Sequence, residues 1–105
     1  MEKLEQIAKL EEEWDGDGAR AFSAVLIRTV REIIVNLDKQ PEIFPTACET
    51  IQIEYDYEDG SYLEIEISDD DVAKVFLVDC NGEESLSVVE ACSQEICKVV
   101  NSFYG

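Results

Sequence analysis

A chain of 105 residues, 46% of them apolar, has the length of one ordinary domain, residues 1–105, and can bury a core without metal or disulfide staples. With 25 Asp and Glu against 8 Lys and Arg, its net charge is −17. Such a surface repels phosphate backbones and anionic headgroups, which argues against direct nucleic-acid or membrane binding and in favour of basic partners.

The chain starts with a charged amphipathic segment lacking the apolar run of a signal peptide or spanning helix, so a cytoplasmic setting is expected. Leu4, Ile7, Ala8, Leu10 and Trp14 recur near the 3.6-residue period, which predicts a helix over residues 2–14. Asp15, Gly16, Asp17 and Gly18 end it, because glycine enters positive φ at no steric cost. A second helix is expected from about Ser23, with Phe22, Leu26, Val30, Ile33, Ile34 and Leu37 along one side, stopping by Gln40 and Pro41. Two prolines and no periodicity make residues 41–50 a connection.

Residues 50–57 alternate strictly, with Ile51, Ile53, Tyr55 and Tyr57 on one face, as in a half-buried strand. A turn at Glu58, Asp59 and Gly60 leads into residues 62–67, where Leu63, Ile65 and Ile67 point inward, completing a hairpin. Ser68, Asp69, Asp70 and Asp71 form the next turn. A more continuously apolar third strand runs to Asp79, closed by Cys80, Asn81 and Gly82. Ser87 and Glu90 have capping-box spacing, and Val89, Cys92, Ile96, Val99, Val100 and Phe103 follow at helical intervals. The expected fold is α+β: two N-terminal helices, a three-stranded antiparallel sheet and a C-terminal helix, in the order ααβββα.

Charge is divided unevenly along this plan. Residues 1–39 carry 9 acids and 6 bases, residues 40–105 carry 16 acids and 2 bases, and the 34 residues between Lys39 and Lys74 hold 11 acids and no base. Period 2 puts Glu54, Asp56, Glu64 and Glu66 on the face opposite the apolar set, joined by Tyr62 as an aromatic anchor or a plain edge residue. Like charges opposed across strands are destabilising. The cluster is read either as a solvated face that keeps sheet edges apart or as a binding surface. The candidate partner-binding residues are Glu54, Asp56, Glu58, Asp59, Tyr62, Glu64, Glu66, Asp69, Asp70 and Asp71.

Catalytic, metal and cofactor sites are not expected. The chain has no histidine to serve as a base near neutral pH, no glycine-rich phosphate cradle and no nucleophile elbow. Calcium-loop spacing begins at Asp15 and Asp17 but fails at Ala19 and Leu26, where oxygen ligands belong. Cys48, Cys80, Cys92 and Cys97 are read as free thiols, since the chain has no histidine and no Cys-x2-Cys pair, and Cys92 and Cys97, five apart, would stand about 140° apart around a helix.

Trp14-Asp15-Gly16-Asp17-Gly18-Ala19, then Pro45-Thr46, then Ile51-Gln52-Ile53-Glu54-Tyr55 and Tyr62-Leu63-Glu64-Ile65-Glu66-Ile67 resemble a family of small bacterial and phage proteins with a W-D-G-x-G-A motif. The chain departs from that family at Glu49-Thr50, where Gly is common, and at Tyr55, where Trp follows the strand Glu. The resemblance implies a helix-helix-hairpin scaffold found near mobile elements and no transferable catalytic role. In size and charge the chain is also similar to the acidic inhibitors of host defence encoded by mobile elements, type II anti-CRISPR proteins among them. The functional expectation is a non-enzymatic inhibitor acting as a nucleic-acid mimic in the basic RNA or DNA groove of a nuclease, most plausibly an RNA-guided CRISPR nuclease, or of another nucleic-acid-binding protein. The alternative is an antitoxin or immunity-like partner of a basic protein encoded nearby.

Overall fold

Seven residues of the first predicted helix, Glu2–Ala8 (α1), bury Leu4 and Ile7, a pair one turn apart on one face. The structure is a computed structural model that describes residues 2–9, 23–46 and 49–104. The expected continuation of α1 to Trp14, the Asp15 to Gly18 turn, Phe22 and Cys48 lie outside the described residues. Helix α2 spans Ala24–Val35. Its N-cap is Ser23, whose hydroxyl accepts the Leu26 N–H at 3.1 Å and so satisfies one of the donors left over in a first turn. Leu26, Ile27, Val30, Ile33 and Ile34 form its buried stripe.

Among the described residues the sheet has five strands, where the sequence predicts three. They are β1 (Glu42–Pro45), β2 (Ile51–Asp56), β3 (Tyr62–Ile67), β4 (Val72–Val78) and β5 (Glu84–Glu90), antiparallel and in sequential order. Helix α3, Ser93–Tyr104, follows.

Strand β1 falls within the stretch expected to be a connection. Four residues are too few to show a period, and Pro45 demotes the segment further. Pairing explains how proline fits here. Thr46 donates its N–H to the Thr50 carbonyl at 3.0 Å, so even-numbered residues of β1 bond to β2 and the Pro45 nitrogen faces the outer edge, where no donor is required.

Strand β5 occupies the place of the expected capping box. Ser87 and Glu90 belong to the strand, and the helix begins at Ser93, its first turn closed by the Ile96 N–H on the Cys92 carbonyl at 3.0 Å. The turn before β5 decides between the two outcomes. Gly82 sits at φ +82°, and the Asp79 N–H donates to the Glu83 carbonyl at 2.9 Å, which folds the chain back along β4. Tyr57 is also displaced from its expected place, since β2 ends at Asp56 and leaves Tyr57 exposed.

One sheet face carries Ile43, Ile51, Ile53, Tyr55, Leu63, Ile65, Ile67, Ala73 and Val75, all buried, in a single core with Leu4 and Ile7 of α1, the α2 stripe, and Ile96 and Val100 of α3. Among the described residues, all three helices therefore cover the same face. At the end of α3, Tyr104 meets Tyr55 and Tyr57 edge to face, with centroids 5.7 and 5.3 Å apart, and the Lys39 ammonium lies 3.9 Å from the Tyr104 ring centroid. The Tyr55 hydroxyl donates to the Lys39 carbonyl at 2.7 Å, tying β2 to the segment after α2.

Candidate protein-binding face

Alternation sends the remaining side chains of the strands to the opposite face, and no helix among the described residues packs there. Register places them in rows across the sheet. Glu42 stands opposite Glu54, Glu54 opposite Glu64, Glu64 opposite Phe76 and Phe76 opposite Leu86. The adjacent row runs Phe44, Gln52, Glu66, Lys74, Val88, and on the other side Asp56, Tyr62, Val78 and Glu84 are aligned. The face is thus divided: its carboxylates gather on β1 to β3 among Phe44, Gln52 and Tyr62, and β4 and β5 bring Phe76, Val78, Leu86 and Val88 together with Lys74, Glu84 and Glu90.

The acidic half is held by neutral donors. Tyr62 donates its hydroxyl to Glu64 Oε1 at 2.8 Å, Gln52 Nε2 donates to Glu54 Oε2 at 2.6 Å, and Thr50 Oγ1 donates to Glu66 Oε2 at 2.8 Å. The ion pairs formed among the described residues, Arg31 with Glu5 and Lys98 with Glu95, lie on helices. Glu54, Glu64 and Glu66 are therefore held by neutral donors, and among the described residues no ion pair forms on them, although Lys74 stands opposite Glu66 in the register. Tyr62 is on the middle strand of the sheet, half-buried, with its ring edge to face on Phe76 at 6.4 Å. Burial, then the hydrogen bonds to Glu64 and Glu54, push its phenol far above the ordinary value.

Of the ten residues expected in the binding surface, Glu54, Asp56, Tyr62, Glu64 and Glu66 come together on this face. Glu58 and Asp59 sit in the β2–β3 turn and Asp69, Asp70 and Asp71 in the β3–β4 turn, at opposite ends of the strands. Two of these carboxylates are occupied locally. Asp59 accepts both the N–H and the hydroxyl of Ser61, which hold its carboxyl below the usual range, and Asp70 accepts the Val72 N–H at 3.3 Å. Asp71 takes φ +67°, a left-handed turn conformation that Asp tolerates better than most residues.

Sequence reading left two parts of the face out. Glu42 was counted among the acids but not placed, because β1 was not foreseen. Phe76, Leu86 and Val88 form the apolar half; the alternation Ser85, Leu86, Ser87, Val88 was the available signal for it. Among the described residues no three Asp, Glu or Cys side chains converge as a metal-ligand set, and no helix is long and apolar enough to cross a membrane. Comparison of the chain with protein-family models, curated proteins and solved structures finds no match.

Proposed function

We propose that this chain is a non-enzymatic binding protein whose acidic face occupies a basic, nucleic-acid-binding groove of a partner protein in a reducing compartment. The observation that carries this reading is the convergence of Glu42, Glu54, Asp56, Glu64 and Glu66 on one sheet face, the one on which no helix among the described residues packs. Carboxylates two residues apart on a strand lie about 6.5–7 Å from one another, a spacing comparable to that of phosphates along one nucleic-acid strand. Neutral hydrogen-bond donors hold Glu54, Glu64 and Glu66 in place, so less conformational entropy is lost when a partner's Lys and Arg close on them. Free thiols at Cys80, Cys92 and Cys97 suit a reducing compartment.

RNA-guided nucleases present a positively charged channel that recognises backbone and shape, and they are the partner class this reading names first. The test is competition between the chain and guide RNA for a guide-free nuclease of this type, across a salt series. Displacement that weakens steeply with salt is expected, with loss of at least 100-fold when Glu54→Lys and Glu64→Lys are combined. Salt-independent binding, or full inhibition by the double variant, would overturn the proposal.

A further inference from the structure

Strand β5 forms one edge of the sheet, and it is the least covered strand. Leu86 and Val88 are 73% and 63% exposed, the highest values among the large apolar side chains of the described residues. The ladder to β4 shows which backbone groups face outward. The Asp79 N–H bonds to the Glu83 carbonyl and the Ala91 N–H to the Asp71 carbonyl, both at 2.9 Å, and the register between them is unbroken. Odd-numbered residues of β5 therefore spend their N–H and C=O groups on β4, and Glu84, Leu86, Val88 and Glu90 direct theirs to the open edge. Proteins usually blunt such edges with proline, inward charge or short length. Strand β1, at the other edge, has four residues and Pro45; β5 has seven, with neither proline nor lysine.

We infer that β5 is a strand-addition site, where an extended segment of a partner protein pairs along the open edge. The segment's apolar side chains lie beside Leu86 and Val88, and a Lys or Arg lies beside each of Glu84 and Glu90. Charge selects this occupant over a second copy of the chain. Pairing two copies of β5 through all seven residues sets Glu84 against the partner's Glu90 at both ends, between molecules that each carry −17. A basic–apolar–apolar–basic set at alternate positions converts those contacts into attraction and extends the apolar patch of Phe76, Leu86 and Val88. On the other face, Ser85 and Ser87 border a groove of about 300 Å³ against α3, lined by Leu77, Val99 and Phe103 and edged by Lys98 and Ser102. An apolar side chain at the middle position of the added strand reaches that groove. Main-chain bonds then supply affinity and alternate side chains supply selectivity, as in other strand-addition complexes. The edge lies beyond the acidic rows, so this inference stands independently of the function proposed above.

The test uses the peptide Lys-Thr-Val-Leu-Val-Thr-Lys, titrated into the isotope-labelled full chain and followed by amide NMR. Shifts and slowed hydrogen exchange at Leu86 and Val88 are expected, with at least tenfold weaker binding when both Lys are replaced by Glu. N-methylation of the peptide nitrogens that would pair with β5 is expected to weaken binding by a similar factor, since it deletes donors while keeping every side chain. Equal binding of the N-methylated peptide, shifts confined to Glu54, Glu64 and Glu66, self-association that protects β5 without peptide, or no shift at all would each overturn the inference.

Discussion

Glu64→Gln is expected to make the folded chain more stable while leaving its hydrogen bonding intact. The Tyr57 N–H bonds to the Ser61 carbonyl at 3.0 Å, which makes Glu54 and Glu64 a non-hydrogen-bonded pair, the position where opposed side chains come closest. Two carboxylates about 6 Å apart repel by about 0.7 kcal/mol in a water-like dielectric. Glu66, about 7 Å along the same strand, adds roughly 0.6 kcal/mol by the same relation. Replacing the Glu64 carboxylate by an amide removes both terms and retains an oxygen to accept the Tyr62 hydroxyl. A gain of about 1 kcal/mol is therefore expected at low salt, in line with cross-strand pair energies. Because the screening length falls from about 30 Å at 0.01 M to about 3 Å at 1 M, most of that gain should vanish in concentrated salt. Urea denaturation followed by far-ultraviolet circular dichroism, in 10 mM and 1 M sodium chloride, measures both quantities. Destabilisation by Glu64→Gln, or an equal gain at both salt concentrations, would refute the electrostatic account of this face.

Burial first, and Glu64 and Glu54 next, raise the Tyr62 phenol; burial, then Tyr104 and Cys97, raise Tyr55. Their stabilisation is complete below the ordinary phenol value of about 10 and is lost as pH rises beyond it, because the unfolded chain ionises first. Alkaline titration at 295 nm should show these two phenols ionising only with unfolding, and Tyr62→Phe should shrink that late phase. Reversible ionisation of both near pH 10 in the folded chain would contradict this. Ile65→Ala, at a fully buried position in the middle of the sheet, is expected to cost about 2–5 kcal/mol in chemical denaturation. Gly60→Ala meets no neighbouring atom within 4 Å yet forces a side chain onto φ +89°, so a loss of about 1–2 kcal/mol from backbone strain alone is expected. A loss as large as that of Ile65→Ala would show that packing, not backbone conformation, governs the turn.

The β2–β3 hairpin was legible in the sequence because a half-buried strand writes its two faces into alternate residues. Ile51, Ile53, Leu63, Ile65 and Ile67 can only share a face, and Glu54, Asp56, Tyr62, Glu64 and Glu66 are thereby assigned to the other. Helix α2 was legible for the analogous reason at a period of 3.6, with Ser23 marking its start. Strands β1 and β5 were not legible. Strand β1 is four residues with a proline, too short to show a period, and β5 alternates with its apolar residues on the face that the described helices do not cover and is exposed over almost its whole length. Its Ser87 and Glu90 matched a capping pattern because that pattern is local, whereas strand identity was conferred by pairing with β4 through the Gly82 turn.

Net charge and the location of the acids on the hairpin are properties of the sequence by itself, since composition and period 2 suffice to establish them. Tertiary structure decided how far the acidic surface extends. Pairing of β1 with β2 added Glu42 to the row of Glu54 and Glu64, and the turns removed Glu58, Asp59, Asp69, Asp70 and Asp71 to the two ends. Pairing of β4 with β5 set Phe76, Leu86 and Val88 beside the carboxylates. Those neighbours come from successive strands, and only the hydrogen-bonded register of the assembled sheet brings them into one surface.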